Sequence, residues 1–395
     1  MKKIGLAVCY DTKNFGSQLQ VYATNYKIRS YGYDCEIIRY KKALTPKFIL
    51  QTIPRFFNPY FLKSKFGGSD KKKFLKQHQD ICNNITIRNK KFSNFVKENY
   101  DNLSEEFVGW ESLVKRANKK YDAFLCGSDQ LWLPSNLGSH FYTLEFANKS
   151  KPKIAYATSF GVSQIPWFQK YSTRRYLNNI NYLSSREQKG KEIIKNLTGR
   201  DSLVVCDPTL LLSKTDWDNT IKNNKIIDED YIFCYFLGTN EEHRNLAIKL
   251  SDETGLKIVT IPFLDNYNEF DINFGDNRMY DVDSFDFVNL IRNAKYVLTD
   301  SFHGSIFSII NHKQFIVLNR FSDKSKNSRN SRIDNLCNLL GLNERRYTDS
   351  KEDLLKKINK KIDYNKVDKN LIKLRKTSED YLQKSLKEAL GDIND

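Results

Sequence analysis

The sequence predicts an α/β protein built as two Rossmann-like parallel-sheet domains facing a cleft. Three observations carry that prediction. Short apolar runs alternate with stretches of helical spacing in two successive blocks. Glycine-bearing turns repeatedly join the end of an apolar run to the start of an amphipathic one. The 395 residues also exceed what one hydrophobic core usually supports.

The first block is expected over residues 1–215. "IGLAVC" reads as its first strand, and Leu19, Tyr22, Ala23 and Tyr26 mark one apolar helix face. Gly32 stops that helix and "CEII" follows as a strand. Residues of about 45–100 are basic, aromatic and helical in pattern, and read as an insertion in this domain. "DAFLCGSDQLW" and "KIAYATSFG" each run from strand into a glycine turn. "NYLSSREQKGKEIIKNL" runs from strand into helix, and "SLVVCDPTLLL" closes the block.

The polar stretch Ser213 to Glu229 reads as a linker to a second domain at 230–365. There "YIFCYFLG" leads into a helix over Glu241 to Thr254, then the strand "KIVTIP". A helix around Asp286 to Asn293, "YVLTDSFHG" and "QFIVLN" complete the alternation. A leucine stripe from Leu371 to Leu390, ending at Gly391, predicts a packing helix within 366–391.

Composition narrows the function classes. At 40% hydrophobic and 13% aromatic the chain is globular, and no apolar run is long enough to cross a bilayer. "MKKIGLAVCYD" meets Asp11 too soon for a signal peptide, so a strand is expected there and a cytoplasmic protein with it. Seven scattered cysteines without a CxxC pair point to reduced thiols and away from zinc. The formal charge of +17 is spread along the chain with no nucleic-acid-binding motif, so nucleic acid is not an expected partner. An anionic small molecule, or an acceptor at the inner face of an anionic membrane, fits the charge better.

Ligands of parallel sheets bind beyond the carboxyl ends of the strands. In "DTKNFGSQLQ", Asn14, Gly16 and Ser17 offer a helix start that favours an anion, or simply a capped helix. In "CGSDQLW", Ser128, Asp129 and Gln130 supply polar groups and Trp132 a face for a sugar; the plainer role for Asp129 is an N-cap. In "SSREQKG", Arg186 suits bidentate capture of phosphate or carboxylate, or an ion pair with Glu187 or Asp207. In "DSFHGSIFS", His303 stands where a strand becomes a helix, with Ser301, Gly304 and Ser305 around it. A histidine there is disfavoured as a cation until an anion arrives, which suits proton delivery. Lys326, Arg329 and Arg332 lie in a basic loop that could close over an anion. No metal-ligand spacing and no Ser-His-Asp signature is present, so a metal-free and cofactor-free mechanism is expected.

In order, "NFGSQLQVYA", "FLCGSDQLW", "KIAYATSFG", "SSRE", "VCDPTLLL" with Trp217, "TDSFHGSIFS" and "QFIVLNR" resemble the polysaccharide pyruvyl transferase family. The resemblance implies a GT-B-like fold. It also implies transfer of a pyruvyl group from phosphoenolpyruvate to a sugar that is lipid-linked or nucleotide-linked, giving a ketal of a cell-surface polysaccharide. Carried over, His303 is the acid and Arg186 the clamp for phosphoenolpyruvate, with Asp129 the base for an acceptor hydroxyl. The resemblance places the acceptor on the first domain and the donor on the second. One departure stands out: Ser301-Phe302-His303 occupies the place of the family's Arg-Leu-His. The alternatives are a nucleotide-sugar glycosyltransferase on the same scaffold and a non-catalytic carbohydrate-binding member.

Overall fold

A computed structural model describes residues 2–43, 78–135, 140–263, 268–321, 330–348 and 353–392. Two all-parallel sheets organise the chain. The first contains β1 (Lys3–Ala7), β2 (Asp34–Lys41), β3 (Leu103–Val108), β4 (Ala123–Cys126), β5 (Lys153–Thr158), β6 (Tyr182–Ser185) and β7 (Leu203–Val204), in the order β3-β2-β1-β4-β5-β6-β7. The second contains β8 (Tyr231–Tyr235), β9 (Lys257–Thr260), β10 (Asn277–Arg278), β11 (Tyr296–Thr299), β12 (Gln314–Leu318) and β13 (Arg346–Tyr347), in the order β10-β9-β8-β11-β12-β13. Strands β4, β5 and β8 are buried along their whole length, as expected when helices cover both faces of a sheet. The two-domain α/β prediction holds.

Several local expectations change. The stretch taken for a linker contains the helix Lys214–Thr220, started by a Ser213–Asp216 capping box. Its Trp217 is buried, and Trp217 Nε1 donates to the Thr209 carbonyl at 3.0 Å. The final helix begins earlier than its leucine stripe, at Tyr364, and runs to Leu390. It crosses back to the first domain, where Ser378 Oγ accepts from the Cys206 amide and Tyr381 donates to the Ala155 carbonyl. On the first helix, Phe15–Ser30, Leu19 and Ala23 are buried but Tyr26 is exposed.

Within the expected insertion, residues 44–77 lie outside the described residues, and Gln79–Asn99 forms a helix. That helix connects the two domains. Its buried Arg88 donates to the carbonyls of Pro262 and Met279 in the second domain. Gln18, also buried, donates to the Phe92 carbonyl and accepts from Ser284 Oγ at 2.7 Å. Around these polar ties the apolar core runs on: Phe15 stacks on Phe287 with ring centroids 5.2 Å apart, and Tyr22 meets Phe285 edge-on.

Candidate active site

The carboxyl ends of β1, β4, β6 and β11 bring together most of the turns singled out in the sequence. His303 is the second residue of the helix Phe302–Ile310, whose N-cap Ser301 accepts from the Gly304 amide at 3.2 Å. The imidazole lies on the backbone of Gly16, across the domain boundary. A Cβ at Gly16 would fall 2.0 Å from His303 Nδ1, so only glycine leaves room for the ring. The Nδ1 edge is thereby occupied, and Nε2 is the nitrogen turned toward Asp207, 3.6 Å from its Oδ2.

Asp207 is the hub of the cluster. The same Oδ2 accepts from Arg186 Nη1 at 2.6 Å and from Ser128 Oγ at 3.1 Å. Its other oxygen accepts from the amide and hydroxyl of Thr209. Asp207 follows β7 and caps the short helix Pro208–Leu211. Of the two acids that the sequence offered Arg186, Asp207 is therefore the partner; Glu187 instead accepts from Ser159 Oγ at 2.7 Å.

Burial alone would raise the Asp207 carboxyl, but His303, Arg186 and Thr209 outweigh it and hold Asp207 well below the usual carboxylate range. The Arg186 guanidinium responds in the opposite sense: burial lowers it, and Asp207, Asp129 and Glu187 more than compensate, so it stays charged. Three buried nitrogens, Arg186 Nε, Arg186 Nη2 and His303 Nε2, have no hydrogen-bond partner among the described residues.

Asp129 stands at positive φ, +81°, a conformation that aspartate tolerates better than most residues. Its Oδ2 accepts from Ser17 Oγ at 2.5 Å and its Oδ1 from the Gln130 amide at 2.8 Å. Burial pushes this carboxyl up, but Arg186, His303, Ser17 and Gln130 bring it below its ordinary value. That setting suits a fixed negative charge beside a cation and weakens Asp129 as a base. Asn14 caps the first helix by accepting from the Ser17 amide at 3.0 Å.

Other expectations need correction. Trp132, expected to stack on a sugar, is fully buried; its Nε1 donates to the Tyr142 carbonyl and its ring packs against Phe160 and Tyr176. Ser305 is equally buried and spends its hydroxyl on the Ser301 carbonyl, so it has no donor left for a ligand. Gln130 lies against Gly161, where a Cβ would come within 2.7 Å of its Nε2. Gly304 is required by Thr299, whose Oγ1 would lie 2.6 Å from an added Cβ. Lys326 and Arg329 fall outside the described residues. Arg332 does reach the cluster: its guanidinium lies 5.6 Å from the Phe302 ring, and that of Arg186 lies 4.5 Å from it. A second cation thus stands beside Phe302 although Ser301 replaces the arginine of the resembled motif.

Next to this cluster is a cavity of about 150 Å³, lined by Lys13, Asn14, Arg88, Asn89, Tyr235 and Phe263 among others. It lies at the ends of β1 and β8, so both domains and the inserted helix contribute to it. Among the described residues no group of three or more histidine, cysteine, aspartate or glutamate side chains is arranged to hold a metal ion.

The family model for polysaccharide pyruvyl transferase matches residues 14–322, a span that contains every residue of the cluster except Arg332. The chain belongs to that family. Membership carries the coarse assignment of a pyruvyl-transfer role in polysaccharide biosynthesis. No curated protein matches the sequence. Among solved structures, a UDP-N-acetylglucosamine 2-epimerase from Listeria monocytogenes, described as putative, aligns with a TM-score of 0.50 at 12% identity, covering 98% of this chain and 95% of that one. The UDP-GlcNAc 2-epimerase of Methanocaldococcus jannaschii aligns at 0.49 and 12% identity, over 95% and 92% of the two chains. The glycosyltransferase SnogD of Streptomyces nogalater aligns at 0.44 and 8%, over 99% and 100%. At 12% identity the likeness to the Listeria structure concerns the fold alone, which is of the GT-B kind.

Proposed function

We propose that this member of the pyruvyl transferase family takes its pyruvyl group from phosphoenolpyruvate and sets it as a ketal across two hydroxyls of a sugar. The observation that carries the reading is the convergence of Arg186 and His303 on one oxygen of Asp207, with three of their buried nitrogens left open. A buried donor without a partner costs about 1–3 kcal/mol, so such a cluster is built for an anion that completes it. Phosphoenolpyruvate brings a phosphate and a carboxylate. Arg186 offers Nε and Nη2 to one of them, and Arg332 adds charge on the far side of Phe302.

His303 then protonates the methylene carbon through Nε2, the only ring nitrogen not packed on Gly16. Positive charge develops at the adjacent carbon, where Asp129 and Asp207 supply fixed negative charge. The first sugar hydroxyl adds there and passes its proton to the now neutral Nε2 of His303. The second hydroxyl displaces the phosphate, and its proton leaves with that group. The donor lies at the seam in this reading, because its two contacts come from opposite domains. The acceptor sugar, lipid-linked or nucleotide-linked, enters along the side of 1–215, and the neighbouring cavity of about 150 Å³ takes part of it.

The test is phosphate release from phosphoenolpyruvate in the presence of a panel of lipid-linked and nucleotide-linked sugars. Release that requires both an acceptor and His303 is expected. Stabilisation by a nucleotide sugar with none by phosphoenolpyruvate would overturn the donor assignment. A protein that binds acceptor without turnover would overturn the catalytic one.

A further inference from the structure

After β5 the chain forms the turn Trp167–Gln169 and the helix Lys170–Asn178. Trp167 is 81% exposed, Tyr171 79% and Phe168 50%, and the Trp167 and Phe168 rings pack edge-to-face in solvent. The segment is nevertheless anchored. Ile165, Tyr176 and Leu177 lie in the core beneath it, and Gln169 Nε2 donates to the Pro134 carbonyl at 3.1 Å. Folding therefore holds three aromatic rings outward on a fixed turn. A water-facing surface gains nothing from that arrangement.

Charge says what the turn faces. Lys170 and Arg174 are exposed beside the rings and have no ion partner among the described residues. Arg175 is spoken for by Glu145 at 2.6 Å. Amphipathic rings flanked by uncompensated cations match the chemistry of the headgroup region, where tryptophan and tyrosine settle and anionic lipids attract basic side chains. The chain's +17 charge adds a longer-range attraction to such a surface. The placement also fits. The turn leaves the carboxyl end of β5, where Thr158 bridges Asp129, so the rings flank the edge of the sheet that carries the candidate site.

We infer that Trp167, Phe168, Tyr171, Lys170 and Arg174 form a docking surface for an anionic lipid bilayer, which presents the site to a lipid-carried acceptor. The acceptor clause rests on the function proposed above; the bilayer contact itself does not. Among the described residues no helix is long and apolar enough to cross a membrane.

The experiment is flotation of the full chain with vesicles of phosphatidylcholine alone or mixed with phosphatidylglycerol. Wild type is expected to float with the mixed vesicles and to do so less as salt rises. The variants Trp167→Ala/Tyr171→Ala and Lys170→Glu/Arg174→Glu should each lose roughly tenfold or more in partitioning, with unchanged melting temperatures. Vesicles should also blue-shift tryptophan emission, and Trp167→Phe should abolish that shift. Absence of wild-type flotation with mixed vesicles overturns the inference. So does a Trp167→Ala/Tyr171→Ala protein that floats normally, or a self-association of wild type that this variant abolishes. Phosphate release with a soluble sugar acceptor should survive the same double substitution. Flotation is scored without turnover, so failure of the pyruvyl-transfer reading would leave this result standing, and the reverse holds too.

Discussion

Among the described residues there are two buried histidine–aspartate pairs with nearly the same geometry. His303 Nε2 stands 3.6 Å from Asp207, and His243 Nδ1 stands 3.7 Å from Asp300. Their surroundings differ. Asp300 spends both oxygens on backbone, accepting from the amides of Leu237 and Gly238, and so fastens the turn after β8 to the end of β11. Its histidine comes from the helix Glu241–Thr254 in the same domain and packs against Phe236. Asp207 instead faces a guanidinium, a serine and a histidine that crosses from the other domain. The first pair closes a fold locally; the second gathers charge at a boundary. A histidine beside an aspartate therefore says little until the remaining partners of the carboxylate are known.

The comparison breaks if the two aspartates prove interchangeable. Asp207→Ala strands the buried Arg186 charge and should cost roughly 3–5 kcal/mol. Asp300→Asn keeps one acceptor and should cost about 1–3 kcal/mol. Denaturant midpoints at constant m-value measure both, and equal losses would erase the distinction. The histidines should separate on activity: His303→Ala should lower phosphate release from phosphoenolpyruvate by about 10²-fold or more. His243→Ala should act through stability alone, with the specific activity of its folded fraction close to wild type.

Gly16→Ala tests the seating of the ring. Its methyl would overlap His303 Nδ1, so the ring or the helix must shift, at a cost of about 1–3 kcal/mol and with activity falling further than stability. Smallest is the pH effect. Asp207 and Asp129 are lowered in the folded state, so their contribution is complete above the unfolded carboxylate value of about 3.9 and is lost as pH falls toward their folded values. Each can add up to about 1.4 kcal/mol per pH unit to the slope of stability below pH ~4, with Asp207 contributing the larger share. Melting curves of Asp207→Asn should show a shallower slope there than those of wild type.

Much of the fold was legible because strands covered on both faces read as unbroken apolar runs; "YIFCY" and "AFLC" are examples. The edge strand β3, "LSEEFV", was not, since its exposed glutamates make it look like a loop. The helix around Trp217 was hidden by a polar sequence with one apolar anchor. At the candidate site, the strand-end rule singled out His303, Arg186, Asp129 and the Gly16 turn, which the structure brings together because backbone geometry alone places them. Asp207 was legible only as one of two possible ion partners of Arg186; its place as hub depends on Ser128 and His303, which lie far from it in sequence. Trp132 was misjudged because it closely follows the polar run Ser128-Asp129-Gln130, while its neighbours in space are Phe160 and Tyr176.

The parallel stack of Phe15 on Phe287, with planes only 7° apart, has a thermodynamic consequence. Domains separated by a wet, polar cleft commonly unfold one after the other and swing while folded. Here oil-like packing continues from one sheet to the next, so neither half can loosen without exposing the other's interior. Calorimetry should record a single endotherm.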